Sequence, residues 1–211
     1  LVEDAAGLLM DAKDFQALAS VIRQHAPNLV TQGRSLVLAG WIDALPDYYF
    51  SADPWLSYWK GTALFSHRIL ESRACLERAF HAFNENGDDT GVLLSWSGVV
   101  DTYLFESNDY KPLDVWIRWL DERMAQNPGF PTVETEAQVL SSIVSGCLFR
   151  QPAHPCLRFY VCRLLDIFQN NPNVSICPQT LSFTVLFYIW MGEFEDARIV
   201  LEYLQKKAEF P

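Results

Sequence analysis

A helix–turn–helix signature that recurs about every 41–43 residues limits this chain to a stack of helix pairs. Its fullest copy is Gly192-Glu193-Phe194-Glu195-Asp196-Ala197, followed by Leu201 and Leu204. A Gly closes the first helix because it enters the left-handed region without a Cβ penalty. The aromatic two residues on is expected to pack at the turn. The small residue five on lets two helices approach closely, and apolar positions nine and twelve on extend the same face. Equivalent turn positions are Lys13, His67, Asn108, Gln151 and Gly192. Two residues beyond them stand Phe15, Ile69, Tyr110, Ala153 and Phe194; five beyond, Leu18, Ser72, Leu113, Cys156 and Ala197; nine beyond, Ile22, Leu76, Ile117, Tyr160 and Leu201. Successive turns are 54, 41, 43 and 41 residues apart. The first interval is longer by one short helix, which Ser35–Leu45 supplies.

Helical periodicity dominates between the turns, and strand signals are nearly absent. The pattern predicts a first pair over Leu1–Ala12 and Asp14–Ala26, the second helix ended or kinked by Pro27 because proline lacks an N–H and clashes with the preceding turn. The inserted helix has a core face of Leu38, Ile42 and Leu45 with Trp41 alongside, and Pro46 closes it. Asp53-Pro54 reads as an N-cap followed by proline at the first helical position. A helix to about Ser66 then pairs with Leu70–Phe83, and Asn84–Asp89 forms a solvated turn. Thr90–Glu106 pairs with Pro112–Gln126, the stretch from Thr132 to about Phe149 with Cys156–Gln169, and Pro178–Met191 with Glu193–Lys207. The expectation is an all-α chain of about eleven helices, one continuous domain over residues 1–211.

These residues resemble tetratricopeptide repeats, although the usual repeat is shorter, at about 34 residues. Asp14-Phe15, Leu18, Ile22, His25-Ala26-Pro27, Gly33, Trp41-Ile42-Asp43-Ala44-Leu45-Pro46 and Pro54-Trp55-Leu56 are similar to the helical repeat domain of MalT-like regulators, LuxR-type signal-transduction ATPases. The resemblance covers about residues 14–60; the remainder matches only as generic repeats, and His67 and Gln151 stand where the usual Gly would. It implies a right-handed α-solenoid that binds a protein partner or a small-molecule inducer, with an ATPase before it and a DNA-binding domain after it. No phosphate-binding Gly-x-x-x-x-Gly-Lys-Ser/Thr is present, so the nucleotide chemistry would lie outside this segment. A tetratricopeptide scaffold in an unrelated cytosolic complex is the alternative. The chain begins with Leu1 inside a helical pattern, as a piece of a longer polypeptide would.

Half of the residues are apolar and seven are Trp, enough to bury a substantial core. A net charge of −10 disfavours direct contact with nucleic acid. No apolar run approaches the roughly 18 residues of a membrane helix, and a cytoplasmic, reduced setting is expected. The five cysteines, Cys75, Cys147, Cys156, Cys162 and Cys177, contain no Cys-x-x-Cys, and most are expected as buried thiols. His25, His67, His81 and His154 lack metal-ligand spacing. His154 and Cys156 lie two apart at a helix start, where a thiol can be activated, but Cys156 holds a small-residue repeat position, which favours burial. The segment is not expected to be an enzyme, nor to hold a metal or cofactor.

A solenoid lines its concave face with the first helix of each pair. Projected from the last copy, that stripe holds Ser57, Gly61 and Leu64; Ser95, Gly98, Thr102 and Phe105; Gln138, Ser141, Ser145 and Leu148; and Gln179, Ser182, Leu186 and Ile189. Ser57, Ser95, Thr102, Gln138, Ser141, Ser145, Gln179 and Ser182 are the candidate ligand or partner contacts, through neutral hydrogen bonds. The same small residues also suit close helix packing. Tyr48, Tyr49 and Phe50 with Trp55, Tyr58 and Trp59 form a second candidate surface, and Trp116 with Trp119 a third.

Overall fold

A computed structural model describes residues 2–126, 129–171 and 178–209; the side chains of residues 178–180, 204 and 206–209 lie outside that description. Among the described residues there are twelve α-helices and no strand, so the fold is all-α. The chain divides into two compact units, Leu1–Glu106 and Ser107–Pro211.

The first unit holds α1 (Val2–Asp11), α2 (Phe15–Thr31), α3 (Ser35–Asp43), α4 (Tyr48–Ala52), α5 (Pro54–Leu64), α6 (Ile69–Asn86) and α7 (Asp89–Glu106). Local chemistry sets most of these boundaries. The Asp14 carboxylate accepts from the Ala17 amide at 3.1 Å, and Asp53 accepts from the Trp55 amide at 3.1 Å with Pro54 in the first turn. Gly33 and Gly87 take positive φ of 71° and 72° where α2 and α6 end. Asp88 accepts from the Gly91 amide, so Asn84–Asn86 extend α6 and the break narrows to Gly87 and Asp88. Two expectations need correction. Pro27 does not end α2, which runs on to Thr31; Pro27 and Arg23 are both exposed, so the carbonyl that proline leaves without an N–H partner stands on the wet side. Of the second candidate surface, Tyr48–Phe50 begin the short helix α4, with Tyr48 exposed but Phe50 buried and Tyr49 edge-on to Phe15.

Packing within this unit joins helices near in sequence: α2 with α1, α3 and α5; α5 with α3, α4, α6 and α7; α6 with α7. Such neighbour-on-neighbour burial is what helix-pair repeats require. Leu18, Ile22, Leu38, Ile42, Leu56 and Leu64 are fully buried in one core, and the expected Leu38–Ile42–Leu45 face with Trp41 lies inside it.

The second unit holds α8 (Leu113–Gln126), α9 (Val133–Arg150), α10 (Leu157–Asn170), α11 (Pro178–Met191) and α12 (Phe194–Glu209). Here α9 packs on α8, α10 and α11, and α11 on α12. Thr132 caps α9 by accepting from the Thr135 amide, and Gly192 closes α11 at φ 76°. The fullest repeat copy is nevertheless the most open one. Ala197 is buried, but Phe194 is 69% exposed and Leu201 45% exposed, so the aromatic does not pack at the turn. The cysteines also divide: Cys75 and Cys147 are buried, Cys156 and Cys162 exposed, and Cys177 lies outside the described residues. Cys156 is exposed because residues 151–156 form a long connection and α10 starts only at Leu157, ahead of which the repeat position falls. Among the described residues no helix is long and apolar enough to cross a membrane.

Candidate interaction surface

Helices α5, α7, α9 and α11 are the ones the sequence reading takes as the first of each pair, and their solvent faces are set by what packs behind them. In α5 and α6 the backbones nearly touch. The Ser72 hydroxyl donates to the Gly61 carbonyl at 2.7 Å, and a Cβ added at Gly61 would stand 2.5 Å from Leu76 Cγ. Leu76 also abuts Gly98 of α7, where an added Cβ would lie 3.0 Å from both its methyl carbons. Arg73 ties α6 to the end of α7: its Nε donates to Thr102 Oγ1 at 2.9 Å, its guanidinium pairs with Glu106 and lies 3.6 Å above the Tyr103 ring.

This packing buries most of the projected stripe. Ser57, Ser95 and Thr102 are inside the first unit, Thr102 donating to the Val99 carbonyl while it accepts from Arg73. Ser141 and Ser145 are buried in the second unit, each turned back on its own helix, to the carbonyls of Ala137 and Ser141. Gln138 and Ser182 are exposed, and Gln179 lies outside the described side chains. The register holds on α11, where Ser182, Leu186 and Ile189 all reach solvent, holds in part on α7, where Gly98 and Phe105 do and Ser95 and Thr102 do not, and fails on α5 and most of α9. The cause is turn length. Gly192 and Glu193 alone separate α11 from α12, whereas residues 65–68, 107–112 and 151–156 separate the other pairs. Each residue of slip rotates a helix face by about 100°.

Beside the buried residues of the stripe the open faces carry different chemistry. On α5 they include Tyr58, Trp59 and Thr62, with Phe65 just beyond its end; on α7, Leu94, Gly98, Asp101 and Phe105. Phe65 and Phe105 stand 5.1 Å apart between centroids, and Phe105 is 55% exposed. Tyr58 packs at 4.9 Å from Trp59 and 5.4 Å from Trp55, which rests on buried Phe83. Burial raises the Tyr58 pKa and the Asp101 charge adds to it, against a hydrogen bond with Thr62 that lowers it. Tyr58 belongs to the second candidate surface read from the sequence; Thr62, Phe65 and Asp101 are absent from both that surface and the projected stripe. The signal that locates Asp101 is the helical wheel: Leu94, Asp101 and Phe105 fall on one side of α7, next to Gly98. In the second unit Phe149 links Tyr110 at 5.5 Å and Phe183 at 5.3 Å, beside exposed Ser182 and half-buried Leu186. Trp116 and Trp119 are half-buried on α8.

The polar clusters of the second unit are joints between helices. Asp114 accepts from Arg150 Nε at 2.9 Å and from Gln151 Nε2 at 2.8 Å; these hydrogen bonds, Arg150 first, hold its carboxyl below the ordinary range. Asp121 meets His154 Nε2 at 3.1 Å and the Tyr160 hydroxyl at 3.3 Å. The other His154 ring nitrogen accepts from the Cys156 amide at 3.3 Å, so both are engaged and neither is spare to draw a proton from the exposed Cys156 thiol. A cleft of about 480 Å³ in the first unit is bordered by His25, Asn28, Gln32, Arg34 and Trp41, with Glu3 paired to Arg34 across it. A smaller one of about 170 Å³ in the second unit lies among Leu165, Phe168, Tyr188, Ile199 and Tyr203. Among the described residues no His, Cys, Asp and Glu side chains gather in a group of three or more that would hold a metal.

No protein-family model matches this chain, and no curated protein matches it either. Its all-α fold is compatible with a helical repeat.

Proposed function

We propose that this chain is a non-catalytic binding module of the tetratricopeptide type, and that it serves a MalT-like transcriptional regulator as the segment that captures a protein partner or a small-molecule inducer. The observation that carries the binding role is the open face of α5 and α7, where Phe105 stands more than half exposed beside Phe65. Exposed rings on a rigid helical scaffold, with little side-chain freedom to lose, suit docking. In the regulator such docking would bias a neighbouring ATPase between resting and assembled states, which requires unequal affinity for the two. Contact with nucleic acid would fall to another domain, and the setting is cytoplasmic.

One observation favours the alternative, a scaffold in an unrelated cytosolic complex. The Trp41-Ile42-Asp43-Ala44-Leu45 motif behind the regulator resemblance supplies core: Trp41, Ile42 and Leu45 are all buried. A motif that packs a fold identifies the fold more than the partner.

The test is a thermal-shift panel of sugars, nucleotides, amino acids and short peptides, since whatever binds the native state raises the melting temperature. A shift abolished by Phe105→Ala, with the helical signal intact, supports the binding module. Shifts indifferent to substitutions at Phe105, Phe65 and Phe149 refute it.

A further inference from the structure

Beyond the docking reading, and at a different place in the first unit, we propose that the cleft of about 480 Å³ among α1, α2 and α3 binds a free α-amino acid with an uncharged polar side chain. A volume of that order is ordinary for a small-ligand site. Charge is the first argument. Glu3 of α1 and Arg34 at the start of α3 both line the cleft and pair with each other across it. Their side chains are 40% and 42% exposed, and an ion pair so open to water contributes little, so it parts at small cost. A ligand that brings one ammonium and one carboxylate satisfies both ends: the ammonium meets Glu3, the carboxylate meets Arg34, and neither protein charge is left alone. The two walls stand close enough for Glu3 and Arg34 to meet, so the charges of a ligand between them have to lie close together. An α-amino acid carries both on one carbon; a peptide sets them further apart.

Placement is the second argument. Arg34 is the N-cap residue of α3, and its side chain bonds none of that helix's first amides, so the positive end of the helix adds to the guanidinium's pull on a carboxylate. His25, Asn28 and Gln32, three and four residues apart at the end of α2, line the same cleft, Asn28 and Gln32 exposed and His25 half-buried. Each carboxamide offers donors and an acceptor, and a neutral imidazole offers one of each. That row suits a hydroxyl or carboxamide side chain, whose own donors and acceptors it matches. Trp41 of α3 adds an aromatic ring to the lining, against which the ligand's methylenes can rest.

Isothermal titration calorimetry of the whole chain tests this with L-serine, L-threonine, L-asparagine and L-glutamine, and with the N-acetyl and C-terminal amide derivatives of each, which lack one charge. At least one of these amino acids should bind with a Kd of about 1 mM or tighter, and both its derivatives about tenfold more weakly, the scale of one charge-assisted hydrogen bond. Glu3→Gln should weaken that amino acid about tenfold and leave its N-acetyl derivative unchanged; Arg34→Gln should weaken it as much and leave its amide derivative unchanged, since each variant removes the partner of one ligand charge. Phe159→Ala, an exposed aromatic of the second unit, should change nothing. Circular dichroism of each variant separates lost contact from lost fold. Binding by none of the amino acids, derivatives that bind as tightly as their parent, or indifference to either Glu3→Gln or Arg34→Gln overturns the proposal. Glu3 and Arg34 lie outside the α5–α7 face, so each of these outcomes bears on the cleft alone.

Discussion

Substituting Gly61 by Ala tests the close approach of α5 and α6. In an open helix the change stabilises by about 1 kcal/mol, since alanine restricts the unfolded chain and favours helix. At Gly61 the added methyl would meet Leu76 Cγ at 2.5 Å and the Ser72 carbonyl oxygen at 3.0 Å. Leu76 is 1% exposed and already abuts Gly98, and Cγ is a branch point rather than a flexible tip, so relief requires α5 and α6 to separate. Overpacking of this kind costs about 1–3 kcal/mol. Separation also stretches the 2.7 Å bond from Ser72 Oγ to the Gly61 carbonyl, worth about 1 kcal/mol. The net is a loss of roughly 2 kcal/mol, or about 4–8 °C in melting temperature for a chain of this length. Gly40 on α3 is the control: its added Cβ meets nothing within 4 Å, so Gly40→Ala should raise the melting temperature by about 2–4 °C. In a Leu76→Ala background, where the obstructing branch is gone, Gly61→Ala should cost much less, a coupling a double-mutant cycle reads directly. Gly61→Ala and Gly40→Ala shifting stability in the same direction would refute the close approach.

Two other joints make distinct predictions. Arg73→Ala removes the link from α6 to Thr102 and Glu106 and should cost about 2 kcal/mol in chemical denaturation; Arg73→Lys should restore less than half of it, because an ammonium cannot bridge both partners and stack on Tyr103. The Asp114 carboxyl is depressed in the folded state by its hydrogen bonds from Arg150 and Gln151, so its stabilisation is present above the unfolded value of about 3.9 and is lost as pH falls through the folded value. Asp114→Asn should therefore lower stability at pH near 7 by no more than about 1 kcal/mol, as the pair is partly solvated, and the difference from the parent should shrink in urea midpoints as pH falls through the depressed folded value.

The helix inventory was legible because its signals are local. Asp14, Asp53 and Thr132 cap helices through bonds spanning two or three residues, and Gly33, Gly87 and Gly192 end them by a backbone conformation glycine tolerates. The buried Leu18, Ile22, Leu38 and Ile42 follow from helical spacing alone. Such features depend on neighbours along the chain, which a sequence displays in full. What faces solvent on α5 and α7 followed only in part. Ser57 and Ser95 project outward if every turn is given the length of the last one, yet they lie buried, while Phe105 is exposed as projected and Asp101, outside the projection, is half-buried. Turns of unequal length rotate each helix about its own axis, and only the interlocking of Leu76 between Gly61 and Gly98 settles that rotation. Helix positions and the apolar supply for a core thus belong to the sequence. The face each helix turns to solvent, and with it the docking surface, belongs to tertiary packing, because it depends on which side chains meet across helices rather than along them.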